Sequence, residues 1–189
     1  SGNQPAYLTT MLGTTLCNFD PEKSATLLSS LAGRYALIGL YLYDGNDAKL
    51  IKDYDVPENL SMGQHHLLRQ GVSTEDFGKL EHIAEVRKRH EMVGQTDLGI
   101  VARLLTYFRV RPGQKVQGTL REFSAGDVIN VGLSVKYTDK QARNLFGSFG
   151  FGVVKSYYEG SVGLYLAERL AERLAAPQNV HASVLASGR

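Results

Sequence analysis

The alternation of side chains between residues 128 and 137 constrains the fold most strongly. Large apolar residues occupy every second position, which is the period of a β-strand with one buried face. The residues between them, including Ser134 and Lys136, are expected on a face exposed to water. A turn at residues 124–127 follows a second expected strand at about residues 115–123, so we predict a long hairpin. The alternating apolar residues are Ile129, Val131, Leu133, Val135 and Tyr137.

Caps, turns and apolar runs predict the remaining elements. An apolar run at residues 36–43 is typical of a buried strand, and we expect a second strand at about residues 49–54 to complete another hairpin. Strands and helices do not alternate regularly, which favours an α+β fold of antiparallel β-hairpins packed with several amphipathic helices. Helices are predicted at residues 20–33, 75–92 and 96–108, from Thr138 onwards, and at residues 153–175, the last being a long C-terminal helix.

The length of 189 residues is sufficient for one domain with arms. We predict an N-terminal arm or edge segment at residues 1–19, a single α+β domain at residues 20–175, and an extended C-terminal arm at residues 176–189. This last segment has too few apolar side chains to offset the entropy of its own ordering, so we expect it to contact another copy of the chain. No apolar run is long enough for a membrane span, and we expect a cytoplasmic protein or a virion-like assembly.

Positive charge is concentrated in one part of the chain. Residues 86–121 contain eight basic and two acidic side chains, a net charge of +6, whereas the whole chain has a net charge of +2. The remaining residues therefore carry −4, and a polyanion would find one preferred region for binding.

Aromatic residues lie among these basic residues. Arginine binds phosphate through two parallel hydrogen bonds and aromatic rings stack on unpaired bases, a combination suited to single-stranded nucleic acid. The alternatives are that Arg87, Lys88 and Arg89 form the solvated end of a helix, and that residues 103–111 form a buried helix end whose arginines extend to the solvent and contribute to stability. The predicted nucleic-acid-binding residues are Arg87, Lys88, Arg89, Arg103, Tyr107, Phe108, Arg109, Arg111, Lys115 and Arg121.

Signs of catalysis are few. The five histidines and the single cysteine, Cys17, do not fall in the usual metal-ligand spacings, so we predict no metal site and no catalytic residue. The glycine-rich segment at residues 146–152 lacks the lysine of a phosphate-binding loop and is not a dinucleotide-binding motif, so we predict no cofactor.

Two short segments resemble known families. Residues 145–154 resemble the glycine-rich loop of the RAMP-type CRISPR RNA-binding proteins, which implies RNA binding. Residues 156–168 resemble the first helix of the STING cyclic-dinucleotide-binding domain, and residues 56–62 resemble a loop of it, in reversed order along the chain. That resemblance implies binding of a nucleotide second messenger.

The sequence thus favours a non-enzymatic protein that self-associates and binds nucleic acid through its backbone, like a coat or nucleocapsid component. Its expected partners are other copies of the chain and single-stranded nucleic acid. A sensor of a small ligand such as a nucleotide second messenger is the first alternative, and an RNA-processing nuclease is the second.

Overall fold

A computed structural model describes residues 7–30 and 33–170 of the chain. None of the helices in these two ranges is long and apolar enough to cross a bilayer. The helices are α1 (Pro21–Ser30), α2 (Asp47–Tyr54), α3 (Pro57–Arg69) and α4 (Asp139–Ser148), with short 3₁₀ helices at Thr14–Asn18 and Thr74–Lys79. The strands are β1 (Leu8–Met11), β2 (Tyr35–Tyr41), β3 (Leu80–Val93), β4 (Thr96–Val110), β5 (Lys115–Gln117), β6 (Glu122–Ser124), β7 (Val128–Lys136), β8 (Phe151–Glu159) and β9 (Val162–Arg169).

The strands form two main sheets and one small ribbon. The first sheet has the order β1-β2-β9-β8, the second has the order β3-β4-β7, and β5 pairs only with β6. Strand β1 lies parallel to β2, whereas β9 is antiparallel to both β2 and β8. The first sheet is therefore mixed, and the predicted fold of antiparallel hairpins with a long C-terminal helix is wrong. Residues 8–11 of the predicted N-terminal arm form the edge strand of this sheet.

A hairpin replaces the two helices predicted at residues 75–92 and 96–108. Val93 pairs with Thr96 across a two-residue loop, and Gly94 adopts a φ of 56°, which suits a tight hairpin turn. Strand β4 is rich in β-branched and aromatic residues, and it pairs along most of its length with β3 on one side and β7 on the other. Pairing on both sides stabilises an extended backbone over the predicted helix.

Two further elements differ from the sequence prediction. The segment predicted as the long C-terminal helix begins with β8 and β9, joined at Gly160 and Ser161, because Glu159 pairs directly with Val162. Residues 47–54 form helix α2 and not a strand, since the Asn46 side chain accepts a hydrogen bond from the Lys49 backbone and caps the helix. The predicted C-terminal arm at residues 176–189 lies outside the described residues.

Strand β7 forms as predicted but pairs with a different strand. Its partner is β4, not residues 115–123, which instead contribute β5 and β6. The pairing changes register between Thr106 and Tyr107, so that Val131 has no partner and forms a β-bulge. The end of β7 is buried on both faces, at Ser134, Val135 and Lys136, so the predicted water-exposed face does not extend to this end.

The second sheet connects two hydrophobic cores. The larger core includes Leu16, Val101, Val135 and Phe146, and lies between the first sheet, α1 and α4. The smaller core includes Phe108 and packs beneath α3, β5 and β6. Strands β4 and β7 contribute to both cores, so their central residues lie between the two.

A buried cation joins helix α1 to this sheet. The Arg103 side chain is 15% exposed, and it forms ion pairs of 2.6 Å with Glu91 and 2.8 Å with Asp20. Glu91 lies on β3 and Asp20 immediately precedes α1. The arginine therefore fixes the start of that helix against the β3–β4 hairpin.

The close approach of β4 and β7 gives the first testable prediction. A Cβ atom added at Gly132 would lie inside van der Waals distance of Thr106 Oγ1. We expect Gly132→Ala to lower the free energy of unfolding by about 1–3 kcal/mol, measured by chemical denaturation. The double variant Gly132→Ala/Thr106→Ala should recover part of this loss. Gly147→Ala in α4 is the control, because its Cβ meets no atom within 4 Å.

The second prediction concerns the Arg103 ion pairs. We expect Arg103→Ala to lower the free energy of unfolding by about 3 kcal/mol, since the largely buried Glu91 carboxylate then keeps only the exposed Arg89 side chain, 3.7 Å away, as a cationic partner. Arg87→Ala, at a side chain 67% exposed, is the matched control and should change stability by at most about 0.5 kcal/mol. Equal unfolding midpoints for the two variants would contradict a structural role for Arg103.

Candidate functional site

A cleft of about 410 Å³ lies over the central part of β4 and β7. Its floor is formed by the two strands, and its walls are formed by α3, the end of α2 and the end of the first 3₁₀ helix. We call it the Ser134 cleft. It is lined by Asn18, Tyr54, Asn59, Met62, Gly63, His66, Leu104, Thr106, Val131, Gly132, Leu133 and Ser134.

Small residues and the bulge give the cleft its shape. Gly63 allows α3 to lie close to the sheet, because a Cβ there would be 3.0 Å from the Phe108 ring. The bulge at Val131 locally bends β7, a feature often found beside functional sites. The side chains that line the cleft are therefore positioned by two paired strands, the bulge between them and the adjoining helices.

Four hydrogen-bonding groups line the cleft besides His66 and Thr106. The Ser134 hydroxyl lies 3.5 Å from the Asn18 side-chain oxygen, and Ser134 is 6% exposed. The Asn59 amide donates a 2.9 Å hydrogen bond to the Tyr54 carbonyl, which holds α3 against the end of α2. The fourth group is the Tyr54 hydroxyl. Apolar side chains such as Met62 and Leu104 complete the lining, a combination typical of small-molecule sites.

A buried ammonium group lies behind the cleft wall. Lys136 is fully buried, and its Nζ donates a hydrogen bond to the Tyr54 hydroxyl. The same atom lies 4.5 Å from the centre of the Tyr54 ring and 4.8 Å from the centre of the Tyr41 ring. Burial raises the pKa of the neighbouring Cys17 thiol, although the Lys136 charge acts in the opposite direction. Among the described residues, no carboxylate lines the Ser134 cleft, and Lys136 is a cationic group behind its wall.

A second cleft, of about 630 Å³, lies near the exposed Leu120. It includes Arg69 and Arg121, but their side chains are not joined to the other lining groups in a common hydrogen-bond network. Within residues 7–30 and 33–170, no group of three potential metal ligands lies together. We therefore take the Ser134 cleft as the candidate site.

Of the ten predicted nucleic-acid-binding residues, the structure brings Arg87, Tyr107 and Arg109 together at one cleft of about 560 Å³, and it places the others elsewhere. Arg103 is held in the ion pairs described above, and the rings of Tyr107 and Phe108 are only 5% and 4% exposed. Neither ring offers a face for stacking on a base. Arg109 lies over the Tyr107 ring, and the Arg111 side chain donates to the Leu80 carbonyl.

The other five predicted residues lie at separate positions with nearby partners. Three of them are at the exposed middle of β3, where each is close to a carboxylate. The remaining two lie near the β5–β6 ribbon. The contacts are Arg87 with Glu85, Lys88 with Asp47, Arg89 with Glu91, Lys115 with Glu122, and Arg121 over the Phe123 ring.

The residues of the Ser134 cleft were not among the predicted site residues. They come from four separate segments, and none forms a local motif. One signal was present in the sequence: Ser134 and Lys136 alternate with large apolar residues on a strand whose end could be covered on both faces. A lysine at such a position is either exposed to solvent or buried with polar or aromatic partners. Only the tertiary structure distinguishes these two cases.

Comparison with solved structures gives a remote match. A S-adenosylmethionine-dependent methyltransferase from Clostridium acetobutylicum shares 10% sequence identity with the chain, with a TM-score of 0.40. The match covers 90% of this chain and 61% of the other, so the chain spans less than two thirds of that protein's length. No curated protein matches the chain.

Comparison with family models gives a match over almost the entire chain. Residues 2–169 match the family described as "Histidine-specific methyltransferase, SAM-dependent". A methyltransferase family consists of enzymes, so the expected non-enzymatic, coat-like protein that assembles on nucleic acid is wrong. The virion-like location, the second-messenger sensor and the nuclease have no support. The chain belongs to the family of histidine-specific, SAM-dependent methyltransferases.

Proposed function

We propose that the protein acts in the SAM-dependent methylation of histidine, and that the Ser134 cleft binds the histidine substrate. The family match over residues 2–169 carries this proposal. The lining of the cleft supports the choice of site, because hydroxyl and amide groups can bind the polar backbone of an amino acid. Met62, Leu104 and Val131 supply an apolar surface for its ring.

The chemistry of methyl transfer is compatible with these groups. A nitrogen must present a free lone pair to the methyl donor, so it must react in its neutral form. Besides Tyr54, the titratable side chain among the lining residues is His66, whose imidazole is the candidate acceptor for a proton lost by the substrate.

The cleft residues do not fit SAM itself. SAM is a sulfonium cation, and a nucleoside ribose is commonly bound by an aspartate or glutamate. Within residues 7–30 and 33–170, no carboxylate lines the Ser134 cleft, and the buried Lys136 ammonium lies behind its wall. We therefore assign the cleft to the amino acid, and we assign no residue of the described ranges to SAM.

Binding of L-histidine tests the assignment of the cleft. We expect the wild-type protein to bind L-histidine in isothermal titration calorimetry. Ser134→Ala should bind it about tenfold more weakly, because one hydrogen bond is lost and the Asn18 side chain also loses a neighbour. Ser30→Ala, at an exposed position on α1, is the control and should bind like the wild type. Equal affinities for the Ser134 and Ser30 variants would exclude the cleft.

Methyl transfer is tested separately. With SAM labelled in its methyl group, we expect label to appear in L-histidine and not in L-glutamine, which has a similar size but no imidazole. Label in neither amino acid, with a protein that is folded by thermal melting, would contradict the proposed activity.

A further inference from the structure

Lys136 is a buried cation that has no ion-pair partner among the residues described by the structure. Its side chain is fully buried, and within the described residues it forms no ion pair. Burial of an unpaired ammonium group is costly, and the faces of two tyrosine rings offset only part of that cost. An apolar side chain of similar size would fill the same space without this cost of burying a charge. The presence of lysine here calls for a role beyond packing.

The hydrogen bond between Lys136 and Tyr54 fixes the direction of the Tyr54 hydroxyl. An ammonium group has three donors and no acceptor, so the Tyr54 oxygen must accept. The hydroxyl proton of Tyr54 must then point away from Lys136. Tyr54 is one of the residues that line the Ser134 cleft, so a ligand in the cleft is the candidate acceptor for that proton.

Neighbouring contacts hold the two tyrosines in place. The Tyr41 and Tyr54 rings meet edge to face, with centroids 6.0 Å apart and an interplanar angle of 77°. The Tyr41 hydroxyl donates to the Asp53 carboxylate, and burial together with this bond raises the pKa of Tyr41. Tyr41 therefore stays protonated and directed towards Asp53, which leaves Tyr54 as the hydroxyl bonded to the ammonium.

We propose that Lys136 is a positioning residue that holds the Tyr54 hydroxyl as a hydrogen-bond donor towards the substrate. Through Tyr54 it selects a ligand that presents an acceptor at this end of the cleft, and its charge favours a carboxylate. Lys136 does not contact the ligand itself. This inference rests on the proposed function, since it assumes that the Ser134 cleft binds the amino acid.

The test compares Lys136→Met with the wild type in calorimetric titrations of L-histidine and of histamine, which lacks the carboxylate. Methionine has a similar length and is apolar, so the variant should fold. We expect affinity for L-histidine to fall about tenfold and affinity for histamine to change by less than about threefold. The melting temperature should not fall, which separates this role from a structural one. Lys136→Arg keeps a cation that only donates hydrogen bonds, and we expect it to retain most of the wild-type affinity for L-histidine. This variant keeps the test possible if Lys136→Met does not fold.

A double-mutant cycle with Tyr54→Phe tests whether Lys136 acts through Tyr54. In the Tyr54→Phe background, Lys136→Met should cause no further loss of L-histidine affinity. Additive losses, or wild-type affinity in a folded Lys136→Met variant, would overturn the inference while leaving the proposed function intact. If the folded wild-type protein does not bind L-histidine, the proposed function fails first and this inference fails with it.

Discussion

The pairing of β4 on both of its edges is the constraint on which the rest of the structure depends. Strand β3 occupies one edge and β7 the other, so the fifteen residues of β4 extend from one hydrophobic core to the other. The two cores sit beneath opposite ends of this sheet. Leu104 and Thr106 lie between the two cores, and both line the Ser134 cleft. The position of the site therefore follows from the separation between the two cores.

The sequence predicted the local elements better than their partners. The alternation at residues 128–137 correctly indicated a strand, and the Thr138 cap correctly indicated the start of α4. The sequence pattern of the β3–β4 hairpin predicts two helices, because both strands are partly covered on both faces and lack a clean alternation. The segment at residues 153–175 also has leucines at helical spacing, and the turn at Gly160 was the opposing signal. In both segments, pairing with a distant strand favours the extended backbone over the helix. Such pairing cannot be read from a short stretch of sequence.

The site was less predictable than the fold. The basic residues suggested a binding surface because charge was counted along the chain and not in space. In the structure, Arg103 and Lys88 face carboxylates from distant segments, namely Asp20 and Asp47. Conversely, Asn18 and Ser134 are common residues that acquire significance only where the chain brings them together. The net charge of a segment therefore does not show whether its basic side chains can bind an anionic ligand. That depends on the carboxylates that the fold places next to them.

The bulge at Val131 divides β7 into two parts that pack in different cores. Ile129, before the bulge, belongs to the smaller core, whereas Val135, after it, belongs to the larger core beside the cleft. Val131 itself packs against the smaller core and also lines the Ser134 cleft, so a change of side-chain size in that core reaches the cleft through this residue. The bulge therefore couples the packing of one end of the sheet to the shape of the ligand site at its centre.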